Sequence, residues 1–96
     1  MKFDEKVLDL TKKIPRGKVT TYKEIARKLG TKAYRAVGNA LNKNKDAPKV
    51  PCHRVIKSDG DIGGYSKGVN KKIRLLKKEG ITITGDKIDK RYLFKF

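Results

Sequence analysis

Cys52 and His53 are the only cysteine and the only histidine in a chain of 96 residues, and they are neighbours in the run Pro51-Cys52-His53-Arg54-Val55. A thiolate is the strongest nucleophile a side chain offers, yet a free thiol at pH 7 is mostly protonated. An imidazole that titrates near neutrality is the group suited to activate it. Side chains on consecutive residues rarely converge directly, so the proton is expected to travel through a bridging water. The competing reading is structural, a buried thiol beside a solvated histidine, because free cysteine is among the most buried residue types. The rest of the chain decides between the two.

Charge is the first constraint. With 26 Lys and Arg against 10 Asp and Glu the formal net charge is +16, far beyond what solubility requires, which points to a polyanionic partner: nucleic acid or an anionic membrane surface. No apolar run has the length of a signal peptide or a membrane span. A single cysteine cannot form an intrachain disulfide, which fits a reducing, cytoplasmic setting. No Cys, His and carboxylate cluster has metal-site spacing, so no metal is expected. The length is that of one small domain with one core.

The elements that must position the Cys-His pair follow from pattern. Phe3, Val7, Leu8 and Leu10 recur at helical spacing over about residues 2–13, and Ile14-Pro15-Arg16-Gly17 ends that helix. A second helix is expected from Tyr22, with Thr20 or Thr21 as N-cap, Glu24 completing a capping box with Thr21, and Gly30 as the stop. After the turn Thr31-Lys32, a third helix runs from Ala33 through Tyr34, Arg35, Ala36, Val37, Gly38 and Asn39 to Asn42. Helix, short Gly-containing turn, helix is the pattern of a helix-turn-helix. Ala33, Ala36, Gly38 and Ala40 are small. Gly38 costs about 1 kcal/mol against Ala in a helix interior, so the helix is read as approaching something closely: the neighbouring helix, or a nucleic-acid groove with Arg35 projecting from the helix start. The charge excess favours the groove.

Residues 42–48 form a polar loop leading to the Cys-His pair, and the Asn44 amide is suited to pinning it. Val55-Ile56-Lys57 is expected to be a short strand, followed by a turn at Ser58–Asp61 and a glycine-rich loop, Gly63-Gly64-Tyr65-Ser66-Lys67-Gly68, without Walker spacing. A helix over 69–79 should turn Val69, Ile73, Leu75 and Leu76 inward and Lys71, Lys72, Arg74, Lys77 and Lys78 outward. Glu79 at its C-terminal end opposes the helix dipole, so a partner is expected for it. Ile81–Asp89, with a turn at Thr84-Gly85-Asp86, reads as a hairpin, a wing after the helix-turn-helix. The predicted fold is therefore mainly α with a small β-hairpin, a winged-helix-like helix-turn-helix DNA-binding domain.

Pro51-Cys52-His53-Arg54-Val55 followed by Gly63-Gly64-Tyr65-Ser66 resembles the active-site half of the O6-alkylguanine-DNA alkyltransferases. The likeness extends to Thr21-Tyr22, Arg35-Ala36-Val37-Gly38, Asn44, Leu75-Leu76 and Glu79-Gly80, and so covers nearly the whole chain. It implies a repair protein that moves an alkyl group from guanine O6 in DNA irreversibly onto its own Cys52, once per molecule and without a cofactor. It further implies that His53 deprotonates Cys52 through a water and that Glu79 orients and charges the imidazole. Tyr22 would bond guanine N3, and Asn44 would brace the turn before the cysteine. The main-chain carbonyls of Cys52 and Val55 would select the guanine amine, and the backbone at Ser66 would donate to O6. Tyr65 and the nearby Gly64 would line the alkyl pocket. Arg35 would fill the gap left by a flipped nucleotide, with Ala33, Tyr34, Ala36, Gly38 and Asn39 around it in the minor groove.

The partner implied is double-stranded DNA containing O6-alkylguanine, bound by a monomer with no membrane. Residues 1–96 would be one active-site and DNA-binding domain, with the family's N-terminal domain absent. Tyr34 is larger than the small residue expected beside the arginine. Chemistry agrees with the resemblance: guanine O6 is stacked in the duplex, so attack on its alkyl carbon requires the base to leave. The main alternative is an alkyltransferase-like lesion sensor that binds such DNA and recruits other repair. It has no need for a thiol or its relay. A sequence-specific winged-helix regulator and a cysteine hydrolase account for less of the pattern.

Overall fold

A computed structural model describes every residue except Pro48, the last residue of the predicted 42–48 loop. Helix α1, Phe3–Thr11, carries Asp4 and Glu5 in its first turn, where their charge suits the helix dipole. It buries Val7 and Leu10, and Phe3 and Leu8 pack partly against the same cluster. A loop then leads to strand β1, Thr20–Thr21, which runs without a break into α2, Tyr22–Lys28. Thr21 caps α2, its hydroxyl accepting from the Glu24 N–H at 3.0 Å. The Glu24 carboxylate does not return the bond; it pairs with Arg27 one turn on, so only half of the expected capping box forms. Helix α3, Tyr34–Asn42, follows and packs on α1 and α2. The pair α2–α3 is the helix-turn-helix.

Cys52–Arg54 form a single 3-10 turn that leads directly into strand β2, Val55–Ile56. β2 pairs in parallel with β1, Thr20 opposite Val55 and Thr21 opposite Ile56. On the other edge of β1 the Val19 N–H donates to Tyr92 O at 2.9 Å and the Phe94 N–H to Val19 O at 2.7 Å, so the chain's last residues lie alongside it. Side chains alternate across this ribbon. Val55 joins a cluster with Val7, Leu10, Ile14, Ile25, Val37, Ala40, Leu41 and Cys52, whereas Ile56 joins Val19, Ile62, Leu76, Ile81 and Ile88. Each fully buried Val, Leu or Ile contributes about 1.5–3 kcal/mol, and the ribbon is held from both faces.

Helix α4, Val69–Lys78, ends in a Schellman motif: the Gly80 N–H reaches Lys77 O at 3.0 Å and the Ile81 N–H reaches Leu76 O at 3.1 Å. Gly80 takes the left-handed conformation this requires, with φ +89°. Strands β3, Ile83–Thr84, and β4, Lys87–Ile88, form an antiparallel hairpin around Gly85-Asp86. It is shorter than the 81–89 hairpin predicted, because Ile81 is buried in the core and the Ile88 N–H donates to Gly60 O at 2.9 Å. Four helices and two small two-stranded sheets make a mainly α, winged-helix-like helix-turn-helix domain.

Two orientations differ from the sequence reading. On α4, Val69 is 44% exposed and Lys72 fully buried, the reverse of their predicted placement. Lys72, Leu76 and Glu79 are spaced i, i+4, i+7 and share the inward face. On α3, Ala40 faces the core, so its small size serves packing and not a groove. Among the described residues no helix is long and apolar enough to cross a membrane.

Candidate active site and nucleic-acid interface

The Cys-His turn is fixed from upstream by Asn44. Its side-chain amide donates to Val50 O at 2.8 Å and its carbonyl accepts from the Asp46 N–H at 3.0 Å. Val50 O in turn accepts from the Cys52 N–H at 2.8 Å, so one buried amide sets the carbonyl from which Cys52 hangs. Cys52 is a free, buried thiol.

His53 is 1% exposed. Its Nε2 lies 2.8 Å from Glu79 Oε2. Burial opposes charge on Glu79, but hydrogen bonds from Arg54 and His53 outweigh it and hold the carboxyl below its ordinary value. An ionised carboxylate only accepts, so Nε2 carries the proton and Nδ1 is left with a lone pair. That Nδ1 is buried with no hydrogen-bond partner. Burial pushes the imidazole's pKa down, and the opposing pull of Glu79 does not restore it. The ring is therefore neutral, with Nδ1 paired to no described group of the protein.

Tyr22 and Tyr65 both pack against the cluster that contains Cys52. Burial raises the pKa of each, and charge on Cys52 raises it further, so both phenols stay protonated donors. The Tyr65 hydroxyl is buried without a partner among the described residues, and its ring meets His53 edge-on at 6.3 Å. Gly63 lies between this loop and Tyr22: a Cβ there would stand 3.4 Å from the Tyr22 hydroxyl. Ser66 and Gly64 are exposed beside Tyr65.

Two residues of the centre were missed by the sequence reading. Arg54 donates through Nε to Glu79 Oε1 at 2.9 Å and through Nη2 to Oε2 at 2.8 Å, and its Nη1 reaches Ile14 O at 2.8 Å. Glu79 thus has two partners where one was sought. Lys72 sends its ammonium to the carbonyls of Val55, Ile62 and Gly64 at 2.8, 2.6 and 3.0 Å. Burial pushes its pKa down to about 8, against the pull of Cys52 and Asp61. The signal was its place four residues before Leu76; a count of lysines by charge alone put it outside. The carbonyls of Cys52 and Val55, expected to be open to a guanine amine, are each already partnered once, by the Val55 N–H and by Lys72. A carbonyl's second lone pair remains for a ligand.

The residues expected to meet DNA lie apart from this centre, along α3. Ala33, Tyr34, Arg35 and Asn39 are exposed, and Ala36 and Gly38 half-buried. A Cβ on Gly38 would meet nothing within 4 Å, so no packing inside the chain requires glycine there. Tyr34 borders two clefts. One, of about 330 Å³, is lined with Lys23, Arg27 and Lys32; the other, of about 310 Å³, runs from Tyr34 to Tyr22 and Lys57. Basic side chains thus line both clefts at the head of α3, and the second, which also carries Asp59, reaches Tyr22. Among the described residues no group of three or more His, Cys, Asp or Glu side chains could hold a metal ion.

A thiol, an imidazole and two phenols beside a helix-turn-helix make a candidate nucleophilic centre on a DNA-binding fold. Residues 2–81 match the family described as 6-O-methylguanine DNA methyltransferase, DNA binding domain, and the chain belongs to that family. The methylated-DNA–protein-cysteine methyltransferase of Saccharolobus islandicus is 59% identical over 71 residues, covering 74% of this chain and 46% of that protein. The chain spans less than half the length of the curated relatives it matches first. Mycobacterium tuberculosis OGT, solved in complex with DNA, is 42% identical with a TM-score of 0.79, over 82% of this chain and 50% of that one. S. pombe Atl1, solved with damaged DNA containing O6-carboxymethylguanine, is 37% identical with a TM-score of 0.86, and the match covers 100% of both chains.

Proposed function

We propose that this protein repairs DNA by moving an alkyl group, methyl above all, from guanine O6 in duplex DNA onto Cys52, irreversibly and once per molecule. The observation that carries the reading is the buried Nδ1 of His53, paired with no described group of the protein while Glu79 holds Nε2, on the residue next to a buried thiol. A protein that only recognises lesions needs no such base.

The thiol proton passes through a bridging water to His53 Nδ1, and the S–C bond forms as the C–O6 bond breaks. The departing guanine takes a proton at N3 from the Tyr22 phenol, and His53 restores that proton to Tyr22. Neutral guanine and a thioether remain. Since the attacked carbon is inaccessible in a stacked base, the nucleotide must turn out of the helix, at a cost of a few kcal/mol. Arg35 and the small face of α3 fit the duplex that the nucleotide leaves, and the lysine and arginine excess supplies phosphate contacts. On this reading Cys52, His53, Glu79, Tyr22 and Asn44 serve the transfer. Ala33, Tyr34, Arg35, Ala36, Gly38 and Asn39 hold DNA, and Val55, Gly64, Tyr65 and Ser66 surround the base and its alkyl group.

A second reading, a lesion sensor that recruits other repair, is favoured by the end-to-end match with Atl1. Intact mass separates the two. After incubation with an oligonucleotide duplex bearing one O6-methylguanine, a gain of one methyl group that is lost in Cys52→Ala supports transfer. Tight binding to the lesion with unchanged mass overturns it in favour of the sensor.

A further inference from the structure

The imidazole–carboxylate pair here has a third member. Arg54 grips both oxygens of Glu79, Nε on Oε1 at 2.9 Å and Nη2 on Oε2 at 2.8 Å, and Oε2 is the oxygen that also takes His53 Nε2 at 2.8 Å. The guanidinium side chain is 15% exposed and the carboxylate 6%, so water screens this contact little. A carboxylate alone against an imidazole favours the imidazolium form and raises its pKa. A carboxylate already neutralised by a two-pronged guanidinium can accept the Nε2 proton while exerting much less field on the ring.

We infer that Arg54 is a positioning residue that sets the base strength of His53: it holds the charge of Glu79 so that the carboxylate orients the imidazole without charging it. The inference rests on the reading of His53 as the base for Cys52 and changes the role expected for Glu79, which was both to orient and to charge. The other groups facing the ring act in the same direction or are neutral. Lys72 on α4 disfavours the imidazolium, as Arg54 does, and only Glu79 favours it. Tyr65 presents a ring edge, and Cys52 is the proton's source. At rest His53 is a free base able to take a proton at Nδ1. Without Arg54 the field of Glu79 would be countered less, and the ring would hold a proton more readily at rest.

Because His53 is the chain's one histidine, a 15N NMR titration of the imidazole reads it without assignment. In the unaltered protein the ring should be neutral at pH 7 with its proton on Nε2, and an imidazolium at that pH overturns the inference with no variant needed. In Arg54→Gln the titration midpoint should rise by about one pH unit or more. An unchanged or lower midpoint in a folded Arg54→Gln protein overturns the inference too. Arg54 also anchors Ile14 O, so Arg54→Lys, which keeps a positive charge without the fork, is the second variant; its midpoint should rise less than that of the glutamine variant, and an equal rise counts against a charge effect. A variant damaged only in structure would also raise the midpoint by exposing His53, but its imidazole Nε2–H would then exchange rapidly with water and its urea midpoint would fall, so the rise counts for the inference only where neither occurs. No DNA enters this experiment, so the inference can fail in a protein that takes up methyl groups and hold in one that does not.

Discussion

Lys72 and Val55 are joined by a 2.8 Å hydrogen bond from ammonium to main-chain carbonyl, three residues beyond Cys52. The same ammonium holds Ile62 O and Gly64 O, so one buried cation ties the strand leaving the nucleophile to the loop that carries Tyr65. A buried charge is tolerated only when it is well hydrogen-bonded, and here the bonds go to backbone that must stay in place. Lys72→Met should release Gly64 and its neighbours. We expect a loss of about 1–3 kcal/mol in urea unfolding and faster amide exchange across Ile62–Ser66, seen by hydrogen exchange.

The same residue gives the protein an alkaline rise in stability. Lys72 titrates near pH 8 when folded, against 10.5 as its ordinary value. Between those values the unfolded chain holds more protons, so stability increases with pH across that window and the penalty is felt in full below it. Tyr22 and Tyr65 are shifted upward, so they oppose the trend once the unfolded phenols begin to ionise near pH 10. Urea midpoints measured from pH 7 to 10 should climb in the unaltered protein and climb less in Lys72→Met. A flat profile in both would refute the assignment.

Gly38 offers a test in which stability and binding move in opposite directions. Since a Cβ there meets nothing within 4 Å, Gly38→Ala should stabilise the protein by about 1 kcal/mol through helix propensity alone. If α3 lies against DNA, the added methyl group should weaken duplex binding. Urea unfolding and fluorescence anisotropy with a labelled duplex read the two effects, and unchanged affinity would remove Gly38 from the interface.

Asn44→Ala strips the donor from Val50 O and the acceptor from Asp46 N in a buried setting. The expected cost is about 1–3 kcal/mol. The Cys52 turn hangs from that carbonyl, so methyl uptake from modified DNA should slow on the order of tenfold through misplacement of the thiol. Single-turnover mass spectrometry on protein shown to be folded checks this.

Arg35→Ala should leave the fold alone, within about 0.5 kcal/mol, as an exposed surface change does. It should slow methyl uptake from a duplex while leaving the reaction of Cys52 with iodoacetamide unchanged. Equal slowing of both would place Arg35 in the fold of the centre and not at the DNA.

Much of this was legible in the chain because the physics was local. The Thr21 cap, the Gly30 stop after α2 and the helical spacing of the apolar residues each depend on near neighbours. Glu79 was conspicuous for the same reason, being a carboxylate at the wrong end of a helix. What sequence concealed was tertiary. Thr20-Thr21 and Val55-Ile56 are too short to show a period, so their parallel pairing had no signature. Ala40 looked like Ala36 but faces inward. Lys72 was grouped with the solvated lysines because its partners are carbonyls of segments up to 17 residues away, and carbonyls leave no mark in a sequence. Arg54 stood in plain view beside His53, yet nothing nearby named Glu79 as its partner.

The ribbon of β1 and β2 has a mechanical consequence. β1 passes into α2 with no intervening residue, the Cys52 turn passes into β2 in the same way, and the chain's final residues brace the outer edge of β1. Tyr22, at the head of the helix-turn-helix, and Cys52 are thereby joined through one hydrogen-bonded ribbon. On the proposed reading the ribbon fixes the spacing of phenol and thiol, and the nucleotide is what travels to meet them.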